Sequence, residues 1–162
     1  MKLPIGLALV FLLSACGTTR QDTVASMPAI QVNEEAQMNN LAIYAMSLSE
    51  TPYLYGGKSR ANGFDCSGFV QYVFENSVGL QLPRTSAEMS RVGTPLSTDQ
   101  LRPGDLVFFN TTRNPNSHVG IFIGENRFVH SPKTGKAITI TSLNEKYWSA
   151  RFNGARRIAA NK

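Results

Sequence analysis

The sequence predicts an α+β fold, with helices in the first half of the chain and an antiparallel sheet in the second. Three observations carry that prediction. Apolar residues recur at helical spacing in two early segments, and Pro103-Gly104 marks a turn after which the period changes. From Asp105 onward, short β-prone runs alternate with Gly, Asn and Pro. At 162 residues, 42% apolar and 17% charged, the chain can build one core but not two ordinary domains.

The elements follow in order. Residues 1–15 have the shape of an export signal: Lys2, an apolar run from Leu3 to Leu13, then the small residues Ser14 and Ala15. That run is well short of the roughly 20 apolar residues a membrane-spanning helix needs. Residues 16–33 are rich in Thr, Ser, Gln and Pro without apolar periodicity, as expected of a flexible tether. The folded domain is expected over residues 34–162. It opens with a helix from Glu34 to Ser49, striped by Ala36, Met38, Leu41, Ile43, Tyr44, Ala45 and Leu48 and ended by Pro52. A second helix should begin at or beside Cys66 and stop near Gly79. A short third should follow Thr85, with Glu88 completing a capping box. The strand candidates are Asp105 to Asn110, His118 to Ile123, Arg127 to Ser131 and Ala137 to Leu143, with Phe152 to Ile158 a possible fifth.

The stretch Leu13-Ser14-Ala15-Cys16 resembles the bacterial lipobox. That resemblance implies that Cys16 is lipidated at sulfur and becomes the first residue of the mature protein, firmly anchored by several acyl chains. An ordinary signal peptide with an incidental cysteine is the alternative. Gly17 stands where an aspartate would favour inner-membrane retention in some Gram-negative bacteria, so the expected address is the periplasmic face of the outer membrane.

Lipidation changes the reading of the cysteines. Two cysteines in an exported chain invite a disulfide, but a thioether-linked Cys16 has no thiol to give. Cys66 is then a lone thiol in an oxidising compartment, a liability unless the thiol is used. Without Lys2 the remainder carries fifteen basic and eleven acidic side chains, a net of +4. That mild excess suits an anionic partner. Export, and the lack of any Lys/Arg block or aromatic-basic stripe, argue against nucleic acid.

The chain has only two histidines, His118 and His130, both downstream of Cys66. At a helix start, unpaired N–H groups and the positive dipole end should lower the Cys66 pKa and could hold an oxyanion. Gly68 should let substrate approach the backbone. A buried structural cysteine is the competing reading. The histidines weigh against it, because His118 to His130 reads as a β-hairpin. If the loop is Gly124-Glu125-Asn126, Ile123 lies opposite Arg127 and His130 opposite Gly120, which puts both histidines on one face. A two-residue loop would put them on opposite faces. On one face, His118 can act as base toward Cys66 while His130 orients it.

Five ordered stretches resemble the NlpC-type cell-wall cysteine peptidases, and most closely their lipoprotein murein endopeptidases of Gram-negative bacteria. These are Pro52-Tyr53-Leu54-Tyr55-Gly56-Gly57, Asp65-Cys66-Ser67-Gly68-Phe69-Val70, Leu82-Pro83-Arg84-Thr85-Ser86, Leu101-Arg102-Pro103-Gly104-Asp105-Leu106 and His118-Val119-Gly120-Ile121. The resemblance implies a papain-like fold, with N-terminal helices packed on a C-terminal antiparallel sheet. It implies Cys66 as nucleophile, His118 as base, His130 as the third polar member and the Tyr53 hydroxyl as part of the oxyanion site. Asp65 and Ser67 would flank the nucleophile and contact the peptide's amine end. The implied activity is hydrolysis of an amide in peptidoglycan stem peptides or cross-links, with no cofactor. A non-catalytic lipoprotein that binds murein or a partner on the same fold is the alternative. A Cys/His/His zinc site uses the same residue types, but neither CxxC nor HxxxH spacing occurs.

Overall fold

The computed structural model describes residues 29–159, with side chains from residue 33. The expected export signal, Cys16 and the first part of the expected tether lie outside the described residues. Helix α1 spans Ala29–Ser47, so it starts five residues before the expected Glu34. Met38, Leu41, Ala42 and Ala45 form its buried stripe, continued by Leu48 just past its end, whereas Ile43, expected in that stripe, is exposed. No described helix is long and apolar enough to cross a membrane.

A two-stranded ribbon, β1 (Lys58–Ser59) and β2 (Gly63–Phe64), leads directly into helix α2 (Cys66–Val78). Asp65 caps α2 by accepting from the Gly68 N–H at 2.7 Å, and Gly79 ends it. Phe69, Val70, Val73 and Phe74 face the core. Helix α3 (Ser86–Met89) carries the expected Thr85–Glu88 capping box.

Strands β3 (Thr94–Leu96), β4 (Leu106–Phe109), β5 (His118–Gly124), β6 (Arg127–His130), β7 (Thr139–Ser142) and β8 (Phe152–Arg157) form one antiparallel sheet in the order β3-β8-β4-β5-β6-β7. The four-residue helix α4 (Lys146–Ser149) lies between β7 and β8 in the chain. The expected fifth strand is therefore not an appendage, because β8 inserts between β3 and β4. All four residues of β4 are buried, since both faces of the sheet are covered. Leu106 and Phe108 join the helices' cluster with Val119, Ile121 and Val129. Val107 and Phe109 join a second cluster with Phe122, Phe128 and Trp148.

The β5–β6 hairpin corrects the expected loop. Glu125 and Asn126 alone form the turn, both at positive φ (51° and 54°), and Gly124, not Ile123, lies opposite Arg127. A two-residue turn would have split the histidines between faces. A bulge between Phe122 and Gly124 adds one residue to β5 and restores the register, with Phe122 opposite Phe128 and Ile121 opposite Val129. His130 consequently sits beside Gly120, where an added Cβ would come 3.3 Å from the His130 Cβ and 2.6 Å from the Phe128 ring. The glycine makes the room that this histidine occupies.

Candidate active site

Cys66 is the first residue of α2, and the turn holding it is tied to the strand that carries His130. Ser131, next after His130, donates its hydroxyl to the Phe64 carbonyl at 2.7 Å, wholly buried. The Tyr53 N–H donates to the Lys136 carbonyl at 2.8 Å, fixing the other side of the cleft. Gly68 has a different use from the one expected. A Cβ there would lie 2.1 Å from the Gly57 carbonyl oxygen, so the glycine lets α2 seat against that loop and does not clear a path for substrate.

A cleft of about 900 Å³ has Cys66, His118, Tyr53 and Ser67 on its walls, with Tyr147 and Trp148 at one side. The histidines project from the sheet face that carries the second aromatic cluster, while Cys66 comes from a helix on the opposite face. The two groups meet where β5 begins. His118 Nε2 lies 2.8 Å from His130 Nδ1, and the rings stand perpendicular with centroids 5.0 Å apart. Trp148 covers both rings, with centroids 5.3 Å from His118 and 4.7 Å from His130. Every buried side-chain nitrogen and oxygen among the described residues has a partner, yet His118 Nδ1 has no hydrogen bond to another described residue; that nitrogen therefore opens on the cleft.

The aromatic cover sets the protonation states. Burial takes His118 down to about 4. Burial, and then the neighbouring His118, take His130 down as well. Both rings are neutral at pH 7. Burial also pushes the Cys66 thiol up, and the Asp65 charge adds to the rise. The backbone N–H groups of Val119, Ser67 and Cys66 pull downward. The helix-start effect anticipated from the sequence is present but outweighed, so the thiol's pKa lies above its ordinary value and not below it. The Tyr53 hydroxyl, raised by burial and then by Cys66 and Asp65, stays protonated and is a competent donor.

Asp65 and Ser67 flank the thiol as expected, but both are engaged by Arg84, a residue not anticipated in the site. Arg84 donates to both Asp65 carboxylate oxygens, at 2.6 and 3.1 Å, and to Ser67 Oγ at 2.8 Å. Asp65 Oδ2 also accepts from the Gly56 N–H at 3.1 Å. The Pro83-Arg84-Thr85 stretch was visible in the sequence; its partner was not, because nineteen residues separate the ion pair. Tyr147 and Trp148 gave no sequence signal beyond Trp148 being the sole tryptophan. The Asn110 to Ser117 loop reaches the cleft through Thr111, Thr112 and Ser117. Among the described residues, no three His, Cys, Asp or Glu side chains are grouped to hold a metal ion.

A helix-borne cysteine that meets strand-borne histidines across a cleft, on an α+β core in this order, is the papain-like arrangement. The chain belongs to the NlpC/P60 family, whose model matches residues 50–157. It is 42% identical over 136 residues to the murein DD-endopeptidase MepH of Escherichia coli, covering 82% of this chain and 49% of that protein. It is 46% identical over 109 residues to the probable endopeptidase NlpC of the same species, covering 67% of this chain and 70% of that one. The chain spans 26 to 56% of the length of the first four curated relatives, about half in most. Among solved structures, an NlpC/P60 family protein from Bacillus cereus superposes with a TM-score of 0.69 at 32% identity, over 74% of this chain and 39% of that one. The NlpC/p60 domain of the peptidoglycan hydrolase SagA gives 0.64 at 30% identity, over 74% and 98%.

Proposed function

We propose that the protein is a peptidoglycan endopeptidase, a cysteine-type hydrolase that cuts an amide bond in murein stem peptides or their cross-links. One observation carries the reading: Cys66 and the open nitrogen of His118 share a cleft, and a 2.8 Å contact with His130 fixes the His118 ring. The murein and peptidoglycan activities in the relatives' names support the substrate class.

The chemistry follows from the resting state. Thiol and imidazole are both neutral, so His118 Nδ1 takes the thiol proton as sulfur attacks the amide carbonyl. The carbonyl oxygen becomes an oxyanion, held by backbone N–H groups of the Cys66 turn and by the Tyr53 hydroxyl. Protonated His118 returns its proton to the leaving amine, which departs and leaves a thioester on Cys66. Water, deprotonated by His118, then releases the acid and restores the thiol. His130 keeps the His118 ring in place throughout. Asp65 and Ser67 sit at the peptide's amine end, where any contact shares Asp65 with Arg84.

Mass spectrometry of muropeptides incubated with the full chain tests the reading and identifies the amide that is cut. Wild type should release cleaved peptides and Cys66→Ala none; products that survive that substitution would overturn the mechanism. The raised thiol favours one rival, a non-catalytic murein-binding lipoprotein, and iodoacetamide separates the two. Wild type should be alkylated at Cys66 near pH 7.5 faster than His118→Ala, whereas the rival requires equal rates.

The protein is also proposed to be anchored by acyl chains on Cys16 to the periplasmic face of the outer membrane, a reading supported by Leu13-Ser14-Ala15-Cys16. Cys16→Ser should remove it from the outer-membrane fraction; an unchanged share in that fraction would refute the anchor.

A further inference from the structure

The polar row at the site does not stop at His130. On its far side, His130 Nε2 lies 3.2 Å from the hydroxyl of Thr141 on β7, the sheet's edge strand. The sheet register explains how a third strand supplies this group. His130 is paired with Thr139, so Thr141 is its diagonal neighbour two residues along the same face. His118 stands in the same relation on the other side, two residues from the Gly120 that lies beside His130. His118, His130 and Thr141 form one diagonal across three adjacent strands.

We propose that Thr141 is a positioning residue that supports the tautomer pair in which the His118 nitrogen facing Cys66 is bare. The inference rests on His118 being the base of the proposed reaction. To accept the thiol proton, His118 Nδ1 must be bare, so a neutral His118 carries its proton on Nε2. That proton is donated to His130 Nδ1, which must then be bare as well. A neutral His130 in turn carries its proton on Nε2, and the acceptor within reach is the Thr141 oxygen. Thr141 is half-buried, so the hydroxyl can accept that proton and turn its own toward solvent. Without the hydroxyl, a proton on His130 Nε2 has no acceptor among the described residues. With the proton on Nδ1 instead, His130 becomes the donor to His118 Nε2. His118 must then carry its proton on Nδ1, where it cannot act as base. A single hydroxyl thus supports the working arrangement of two rings that it joins only at one end.

The test is steady-state kinetics on muropeptides with Thr141→Val and Thr141→Ser in the full chain, together with ring ¹⁵N spectra. With two histidines in the sequence, selective labelling gives two ring systems to assign. Thr141→Val matches threonine in shape and should lower kcat about tenfold, roughly the loss of one neutral hydrogen bond, with KM changed less than twofold. Thr141→Ser should stay within about threefold of wild type, since the acceptor is kept. Near pH 7.5 the wild-type spectra should show both rings protonated on Nε2, and Thr141→Val should shift them toward Nδ1. Wild-type rings protonated on Nδ1, unimpaired Thr141→Val, or Thr141→Ser as impaired as Thr141→Val would each overturn the proposal. A failure of the underlying reading is distinguishable, because wild type would then release no products, or Cys66→Ala would still release them, whatever Thr141 does, while the ring spectra report the tautomers in either case.

Discussion

Burying two neutral histidines under Trp148 should make folding sensitive to mild acid, and the size of the effect can be worked out. His118 falls to about 4 in the folded protein, against an ordinary value near 6.5 in the unfolded chain. Between those values the unfolded state binds the extra proton, so stability is full above about pH 6.5 and is lost as pH falls toward 4. Integrating that difference for His118 alone gives a loss of about 1.8 kcal/mol between pH 7 and pH 5. His130 is shifted in the same direction and adds to the loss. Urea unfolding followed by Trp148 fluorescence is the assay, because the indole lies 4.7 Å from one imidazole and 5.3 Å from the other, centroid to centroid. His118→Gln should remove a large part of the pH dependence, and the double variant with His130→Gln should be nearly flat over this range. Equal wild-type stability at pH 7 and pH 5, or an undiminished slope in the double variant, would refute the burial argument.

Two further outcomes depend on the cysteine turn. Gly68→Ala drives a methyl to 2.1 Å from the Gly57 carbonyl, which forces α2 off that loop. A cost of about 1–3 kcal/mol and a Tm drop of roughly 5–15 °C are expected; an unchanged melting curve would mean the loop yields freely. Arg84→Ala leaves the Asp65 charge beside the thiol without its guanidinium, so the pH midpoint for Cys66 alkylation should rise, and Arg84→Lys should restore part of the shift. A midpoint that stays put would show that Arg84 does not offset Asp65 at the sulfur.

What the sequence disclosed was local. Gly79, Thr85 and Glu88 act within one turn of themselves, and the helix ends they mark are where the sequence put them. Strand β3 escaped notice because Thr94-Pro95-Leu96 is three residues long with a proline in it, which only an edge strand tolerates. The insertion of β8 between β3 and β4 is a pairing across some fifty residues, and no periodicity reports it. In the hairpin, the expected shared face of the histidines holds even though the expected loop does not. The shorter turn and the bulge each shift the strand by one residue, and the two shifts cancel. At the site, Cys66, His118 and His130 stood out by residue type alone. Arg84 and Thr141 did not, since an arginine and a threonine acquire meaning only from a partner that the fold brings to them.

The electrostatics of the cleft follow from a conflict over Asp65. Its carboxylate is needed where it is, because it caps α2 through the Gly68 N–H and secures the Gly56 turn. The same charge disfavours a thiolate one residue away. Removing Asp65 would free the thiol at the expense of the helix start that aims it. Arg84 resolves the conflict by engaging both carboxylate oxygens from the side while leaving the cap bond intact. Desolvation then remains the first cause holding the thiol neutral. It acts on the histidines as well, so neither partner is ionised before the proton moves between them. A cysteine kept as thiol is protected from oxidation while the cleft is empty. In the proposed reaction it is activated only when a carbonyl is present to accept the charge, which is the use such a cleft would have for a buried cysteine and two buried bases.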